Sequence, residues 1–162
     1  MGKKFSSPTI NLWFTPDEFF RFVENLDYYL SLELIEDIQT NYEYPVGRLG
    51  DICIYFMHYD SFQEAKCKWN ERAKRIDRSS LYIMMVEWSN FEKEQYERFE
   101  NLPYTNKVLL TAEPHIEYPS TFCLSAAKDT NGGLKDILRY KSLFTGRRYI
   151  DDFDYVSFLN KH

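Results

Sequence analysis

The sequence predicts an α/β fold: a three-layer sandwich with a mostly parallel, mixed central sheet and helices on both faces, built as a single domain over residues 1–162. Three observations carry that expectation. Apolar runs of strand length alternate with segments of helical periodicity from residue 48 to residue 111, in the order strand, helix, strand, helix, strand, which gives two right-handed crossover units. Residues 81–86 form a continuous apolar run, as in a strand covered on both faces of a parallel sheet. The chain has 162 residues, 44% of them hydrophobic and 18% aromatic (13 Phe, 13 Tyr, 3 Trp), enough to fill one sizeable core.

In chain order, Thr9-Ile10-Asn11-Leu12-Trp13-Phe14 is a short β-prone run. Thr15-Pro16-Asp17-Glu18 follows with an N-cap, a proline at the first helical position and two carboxylates at the positive helix end. Phe19, Phe22, Val23, Leu26, Tyr29 and Leu30 recur at helical spacing, so the helix runs to about Ser31 and packs on a sheet. Leu34, Ile35 and Ile38 mark a short strand. Residues 48–58 are the most β-branched and aromatic run and predict a central strand. Phe62, Ala65, Trp69, Ala73 and Ile76 line one face of an amphipathic helix over 61–76. After the strand at 81–86 come a helix over 91–100 and a buried strand over 107–111. Pro114 and Pro119 mark loop, residues 121–125 an edge strand, Gly132-Gly133 the start of a short helix through Tyr140, and residues 152–159 a closing helix.

Composition removes several function classes. No apolar run approaches the roughly 18 to 20 residues that cross a bilayer, and the aromatic content argues against disorder. A formal charge of −5 argues against a general nucleic-acid binder while leaving room for a local basic pocket. Cys53, Cys67 and Cys123 are odd in number, far apart and without a Cys-x-x-Cys pair; this indicates neither a disulfide framework nor a zinc site and fits a reducing cytoplasm. Each falls in a predicted strand or helix and reads as packed rather than nucleophilic. The basic start is not followed by an apolar stretch, so no export signal is read, and the Gly2 to Ser6 match to a myristoylation pattern reads as chance.

Tyr44-Pro45-Val46-Gly47-Arg48-Leu49-Gly50-Asp51 stands out. A proline and two glycines sharpen the backbone and deliver an arginine suited to a carboxylate or phosphate. The plainer alternative is an Arg48–Asp51 ion pair at a bulge. The segment lacks the phosphate-loop and dinucleotide-binding patterns. His58 ends the predicted central strand, and ligands bind at the carboxyl ends of parallel strands. Glu87, after residues 81–86, and Glu113 with His115, after residues 107–111, reach the same sheet edge under this reading and, together with His58, suit an acid/base or metal group. No metal-ligand spacing accompanies them. Gly146-Arg147-Arg148-Tyr149, with Lys141 upstream, is the one compact basic cluster and suits a diphosphate or anionic sugar, while Asp151, Asp152 and Asp154 read as helix-start carboxylates.

Asn11-Leu12 through Phe20, the Tyr-Pro-Val-Gly-Arg-Leu-Gly-Asp block with Ile52, Phe56-Met57-His58-Tyr59, the helix from Phe62-Gln63-Glu64-Ala65 to Trp69, and Leu102-Pro103-Tyr104-Thr105-Asn106-Lys107 together resemble a bacterial family catalogued as domain of unknown function nineteen-nineteen. Its members are commonly labelled exopolysaccharide or capsule biosynthesis proteins. The resemblance covers nearly the whole chain. Family members usually carry a further strand and helix, with Asn-Asn-Cys and Gly-Gly segments, before the position of Gly2, so the resemblance implies an N-terminally short chain. Val86-Glu87-Trp88-Ser89-Asn90 departs from the acidic turn expected at that strand end, which weighs against Glu87 as a functional group.

The resemblance implies a cytoplasmic, transferase-like enzyme of exopolysaccharide or capsular polysaccharide biosynthesis acting on a sugar nucleotide or glycan intermediate. In that reading His58 is the general base and Asp51 positions a hydroxyl or Arg48. Tyr44, Arg48, His115, Arg147 and Arg148 bind substrate; no metal is assigned and the cofactor is unknown. The rival is a non-catalytic binding or assembly protein of the same pathway, its aromatic side chains stacking on sugar or forming a homo-oligomer interface. A nucleotide-binding regulator has only the fold class behind it.

Overall fold

The structure, a computed structural model, describes residues 7–160. The Gly2 to Ser6 pattern lies outside the described residues. Backbone packing divides the chain into two compact units, with the boundary between Ser79 and Ser80.

The first unit begins with a turn at 8–11 and a single antiparallel bridge from Trp13 to Tyr55, where a strand over 9–14 is expected from the sequence. Helix α1 (Pro16–Glu24) starts as its cap residues predict. Thr15 Oγ1 accepts the Glu18 N–H, the Glu18 carboxylate accepts the Thr15 N–H, and Pro16 opens the helix. The helix breaks at Asn25, whose backbone is non-helical (φ −130, ψ 44), and α2 (Leu26–Ser31) resumes beyond it. Strands β1 (Ile35–Glu36), β2 (Val46–Leu49) and β3 (Ile52–Tyr55) form an antiparallel sheet in that order. Helix α3 (Phe62–Ala73) is capped by Ser61 and buries Ala65, Trp69 and Arg72. Phe20, Phe22, Leu34, Leu49, Ile52, Ile54 and Phe56 are essentially inaccessible to solvent and fill the core of this unit.

The predicted central strand over 48–58 is therefore two strands. Gly50 has φ +64 and Asp51 follows in a two-residue turn, so the chain reverses and Leu49 pairs with Ile52. A positive φ at the first central residue of a two-residue loop is the hairpin geometry that glycine alone adopts at no steric cost.

In the second unit, β4 (Tyr82–Val86), α4 (Lys93–Glu100) and β5 (Asn106–Thr111) form the predicted parallel crossover, with Tyr82 opposite Asn106 and Val86 opposite Leu110. Strand β6 (Thr121–Cys123) adds in parallel to β5 as an edge strand. Strand β4 alternates buried and half-buried positions instead of being covered on both faces: Ile83 and Met85 are buried, while Tyr82, Met84 and Val86 pack against a cluster of Val108, Leu110, Ala112, Leu124, Leu134 and Phe158. The expected helix from Gly133 to Tyr140 is absent. Asp136 turns the chain by accepting the Leu138 N–H on its side chain and the Arg139 N–H on its carbonyl, and β7 (Tyr140–Ser142) then pairs with β8 (Arg147–Arg148). A turn of 3-10 helix (Tyr149–Asp152) and α5 (Tyr155–Leu159) follow.

The three-layer sandwich with one mostly parallel central sheet is thus corrected to three small sheets: antiparallel three-stranded, parallel three-stranded and two-stranded. The physical cause is the hairpin at Gly50-Asp51. It gives β3 an antiparallel neighbour on one edge, and the Trp13 bridge occupies its other edge, so β3 does not become the first strand of a parallel sheet.

Candidate functional site

The carboxyl ends of β4 and β5, both in the second unit, gather the densest set of polar side chains. Glu87 follows β4 and is 1% exposed. Its Oε1 accepts the Tyr96 hydroxyl at 2.5 Å and the Phe91 N–H at 3.2 Å, and its Oε2 accepts the Ala112 N–H at 2.8 Å. One carboxylate therefore ties the end of β4 to α4 and to the residue after β5. Burial, and then the bond to Glu87, push the Tyr96 phenol well above its ordinary value, so Tyr96 remains a neutral donor. The His115 ring lies 4.1 Å from the Tyr96 ring, between centroids, and Tyr118 stacks on Tyr96 at 5.6 Å with planes 15° apart. His115 Nδ1 is 3.7 Å from Glu117 Oε1, and the His115 side chain is 21% exposed. A buried carboxylate thus fixes a phenol, and the phenol ring backs a partly exposed imidazole, a side chain that can serve as a general base. Trp88, half exposed, stands at the same sheet end. Glu113 is held below the ordinary carboxylate range by Lys128, with which it pairs.

The loop that frames this end depends on Gly133. A Cβ there would lie 2.5 Å from the Ser89 nitrogen and 2.5 Å from the Trp88 carbonyl carbon. Backbone meets backbone at that point, and the Asn131 side chain closes the contact by donating to the Trp88 carbonyl and accepting the Gly133 N–H.

In the first unit, the predicted residues are distributed along the β2–β3 hairpin. Asp51, in the turn, accepts from Tyr29 Oη at 2.8 Å and from Arg21 Nη1 at 2.8 Å. Arg48, exposed on β2, pairs with Asp37 at 3.0 Å, not with Asp51. His58 is exposed in a turn beyond Phe56, whose N–H bonds the Pro45 carbonyl at the far end. Arg48 stands opposite Cys53, and from Cys53 to Phe56 the strand advances about 10 Å, so Arg48 with Asp51 and His58 occupy opposite ends of the hairpin. Tyr44 lies at the His58 end in a chain of rings: Tyr44 on Tyr42 at 5.1 Å, Tyr42 against Tyr55 at 5.4 Å, Tyr55 against Trp13 at 4.5 Å. In the second unit, Arg147 pairs with Asp152, which also takes Lys141, and Arg148 lies over the Tyr140 ring. Cys53 and Cys123 are half-buried, and burial raises the Cys53 thiol; Cys67 is exposed on α3, against the expectation that all three are packed. Among the described residues no group of three His, Cys, Asp or Glu side chains is placed to hold a metal ion, and no helix is long and apolar enough to cross a membrane.

The family described as "Domain of unknown function (DUF1919)" matches residues 1–160. The chain belongs to the DUF1919 family. A protein of Haemophilus influenzae described as uncharacterized is 37% identical over 160 residues, covering 99% of this chain and 76% of that relative. For this DUF1919 chain the strand-end pairing of Glu87 with His115 was legible in the sequence, but two of its members were not. Tyr96 links the two and Tyr118 packs on Tyr96 and His115; a Tyr three residues after His115 and another on the crossover helix are the available signal. Glu18 was read only as a helix-start carboxylate. Its Oε1 also accepts the Cys53 N–H of β3 at 3.0 Å, which ties α1 to the hairpin.

Proposed function

We propose that this DUF1919 chain is a transferase-like enzyme of exopolysaccharide or capsular polysaccharide assembly, acting in the cytoplasm on a sugar nucleotide or glycan intermediate. In this reading the sugar is taken at the carboxyl ends of β4 and β5. The resemblance of the Tyr44 to Asp51 block supplies the pathway. The observation that carries the chemistry is the accessible His115 imidazole seated on Tyr96 and Tyr118. His115 removes the proton from an acceptor hydroxyl as its oxygen bonds to the sugar carbon, and the bond to the leaving group breaks with its electron pair on that group. Tyr118 and Trp88 offer aromatic faces to the sugar ring. Glu87 and Tyr96 hold the imidazole in place and do not themselves transfer the proton.

A specific observation favours a second reading. The ring series Trp13, Tyr55, Tyr42 and Tyr44, with Tyr42 51% exposed, suits stacking along a glycan without catalysis, as in a binding or assembly protein. Thermal-shift and turnover assays over a panel of sugar nucleotides separate the two. The enzyme reading expects His115→Gln to lower kcat/KM by about 10²- to 10⁴-fold with unchanged melting temperature. Glycan binding without turnover, abolished by Tyr42→Ala and indifferent to His115→Gln, establishes the second reading instead. An equal ligand shift in wild type and Arg48→Ala removes Arg48 from substrate binding.

A further inference from the structure

The β7–β8 hairpin carries an apolar tip that neither reading uses. Between Ile137 and Ile150 the sequence contains Arg139, Lys141, Arg147 and Arg148 and no acidic residue, within a chain whose formal charge is −5. At the tip of this basic hairpin stand Leu143 and Phe144, 85% and 104% exposed, with Leu138 and Tyr140 more than half exposed beside it. The base is fixed: Asp152 accepts from Lys141 Nζ at 2.7 Å and from Arg147 Nη2 at 3.0 Å, and Asp151 accepts the Arg148 N–H at 2.7 Å. The tip is thus presented on a braced stem.

We propose that this hairpin docks the protein on an anionic lipid surface, Leu143 and Phe144 entering the acyl boundary while Arg139 and Arg148 meet the headgroups and Lys141 and Arg147, paired with Asp152, brace the stem. The two halves of the feature select that partner together. A soluble anionic sugar accounts for the cations and leaves Phe144 unexplained. An apolar groove on another protein accounts for Phe144 and leaves unexplained the four cations of the same stretch, two of which, Lys141 and Arg147, pair with Asp152 at its base. A bilayer of anionic lipid takes both, with a hydrocarbon interior beneath a negative surface. Asp151 and Asp152 lie against the stem and offset part of its charge, while carboxylates beyond about 8 Å are screened at physiological salt.

The test is co-sedimentation of the full chain with phosphatidylcholine vesicles, with and without phosphatidylglycerol. Binding is expected only to the phosphatidylglycerol vesicles and is expected to weaken as salt is raised. The Leu143→Ser, Phe144→Ser double variant is expected to bind about tenfold more weakly or worse, and Arg139→Gln with Arg148→Gln about fivefold more weakly per charge removed. A Phe144→Trp variant reports insertion directly, by a blue shift of its emission when vesicles are added. Failure to bind phosphatidylglycerol vesicles overturns the proposal, as does equal binding by the tip variant. Equal binding to neutral vesicles removes the cations from it. Self-association lost in the tip variant, with no vesicle binding, assigns the hairpin to a second copy of this chain instead.

Discussion

Glu87 illustrates how much one side chain settles locally. It is buried, yet three donors from three segments converge on its two oxygens, so the cost of burying the group is offset by hydrogen bonds. Replacement by Gln keeps the volume but sets an NH2 group against at least one of those donors, leaving it unsatisfied in a buried setting. Glu87→Gln is expected to cost about 2–3 kcal/mol, read as a lower urea midpoint at unchanged slope. A loss below about 0.5 kcal/mol would show that water reaches the site. The sequence placed Glu87 and His115 together because both follow apolar strands, and that inference rests only on parallel topology. It did not reveal the division of labour between them. Which carboxylate is buried depends on the Tyr96 hydroxyl and the Ala112 N–H, groups 9 and 25 residues away. The alternative of an Arg48–Asp51 ion pair fails for the same reason: each finds its counter-charge elsewhere, Arg48 at Asp37 and Asp51 at Arg21.

At the scale of elements, local chemistry was the readable part. The start of α1 follows from Pro16 and from Thr15 and Glu18, which satisfy each other within one turn, and the β4–α4–β5 crossover follows from periodicity. The hairpin was not read, because apolar residues on both sides of Gly50-Asp51 resemble one long strand unless the glycine's φ is known. The two glycines that shape the units make a contrast. At Gly50 an added Cβ meets the movable Leu32 Cδ1 at 2.9 Å, and the main cost is the positive φ of 64°, so Gly50→Ala is expected to cost about 1–2 kcal/mol. At Gly133 the Cβ meets backbone at 2.5 Å, which cannot turn aside. Gly133→Ala should cost more, about 3 kcal/mol or above, and should disturb the end of the sheet that holds His115. Paired thermal melts of the two variants check the order. A reversed order would mean that the loop at 131–133 shifts freely.

For the molecule as a whole, acid and alkali act on the same contact. Tyr29 donates to Asp51, holding the Asp51 carboxyl below its ordinary value, and burial together with Asp51 pushes Tyr29 up to about 12. A lowered acid stabilises the fold above its ordinary range and loses that contribution as pH falls through its folded value. A raised phenol contributes fully below its ordinary 10.0 and loses that contribution as pH rises through about 12. Asp37, lowered by the Gln39 N–H and then Arg48, adds to the acid flank, and Tyr55, raised to about 12 chiefly by burial, adds to the alkaline one. Melting temperature is therefore expected to fall below about pH 4 and again above about pH 10. Tyr29→Phe should flatten both flanks in circular-dichroism melts, and an unchanged pH profile would exclude this pair as their source.

The antiparallel sheet has a further consequence through its borders. One side carries a single bridge, from Trp13 to Tyr55, and the other ends at β1, which is only the two residues Ile35 and Glu36. So short a strand leaves an incoming chain almost no ladder to extend, which guards this sheet against edge-to-edge aggregation. Copies of the protein that meet at this sheet must recognise each other through side chains rather than by adding strands.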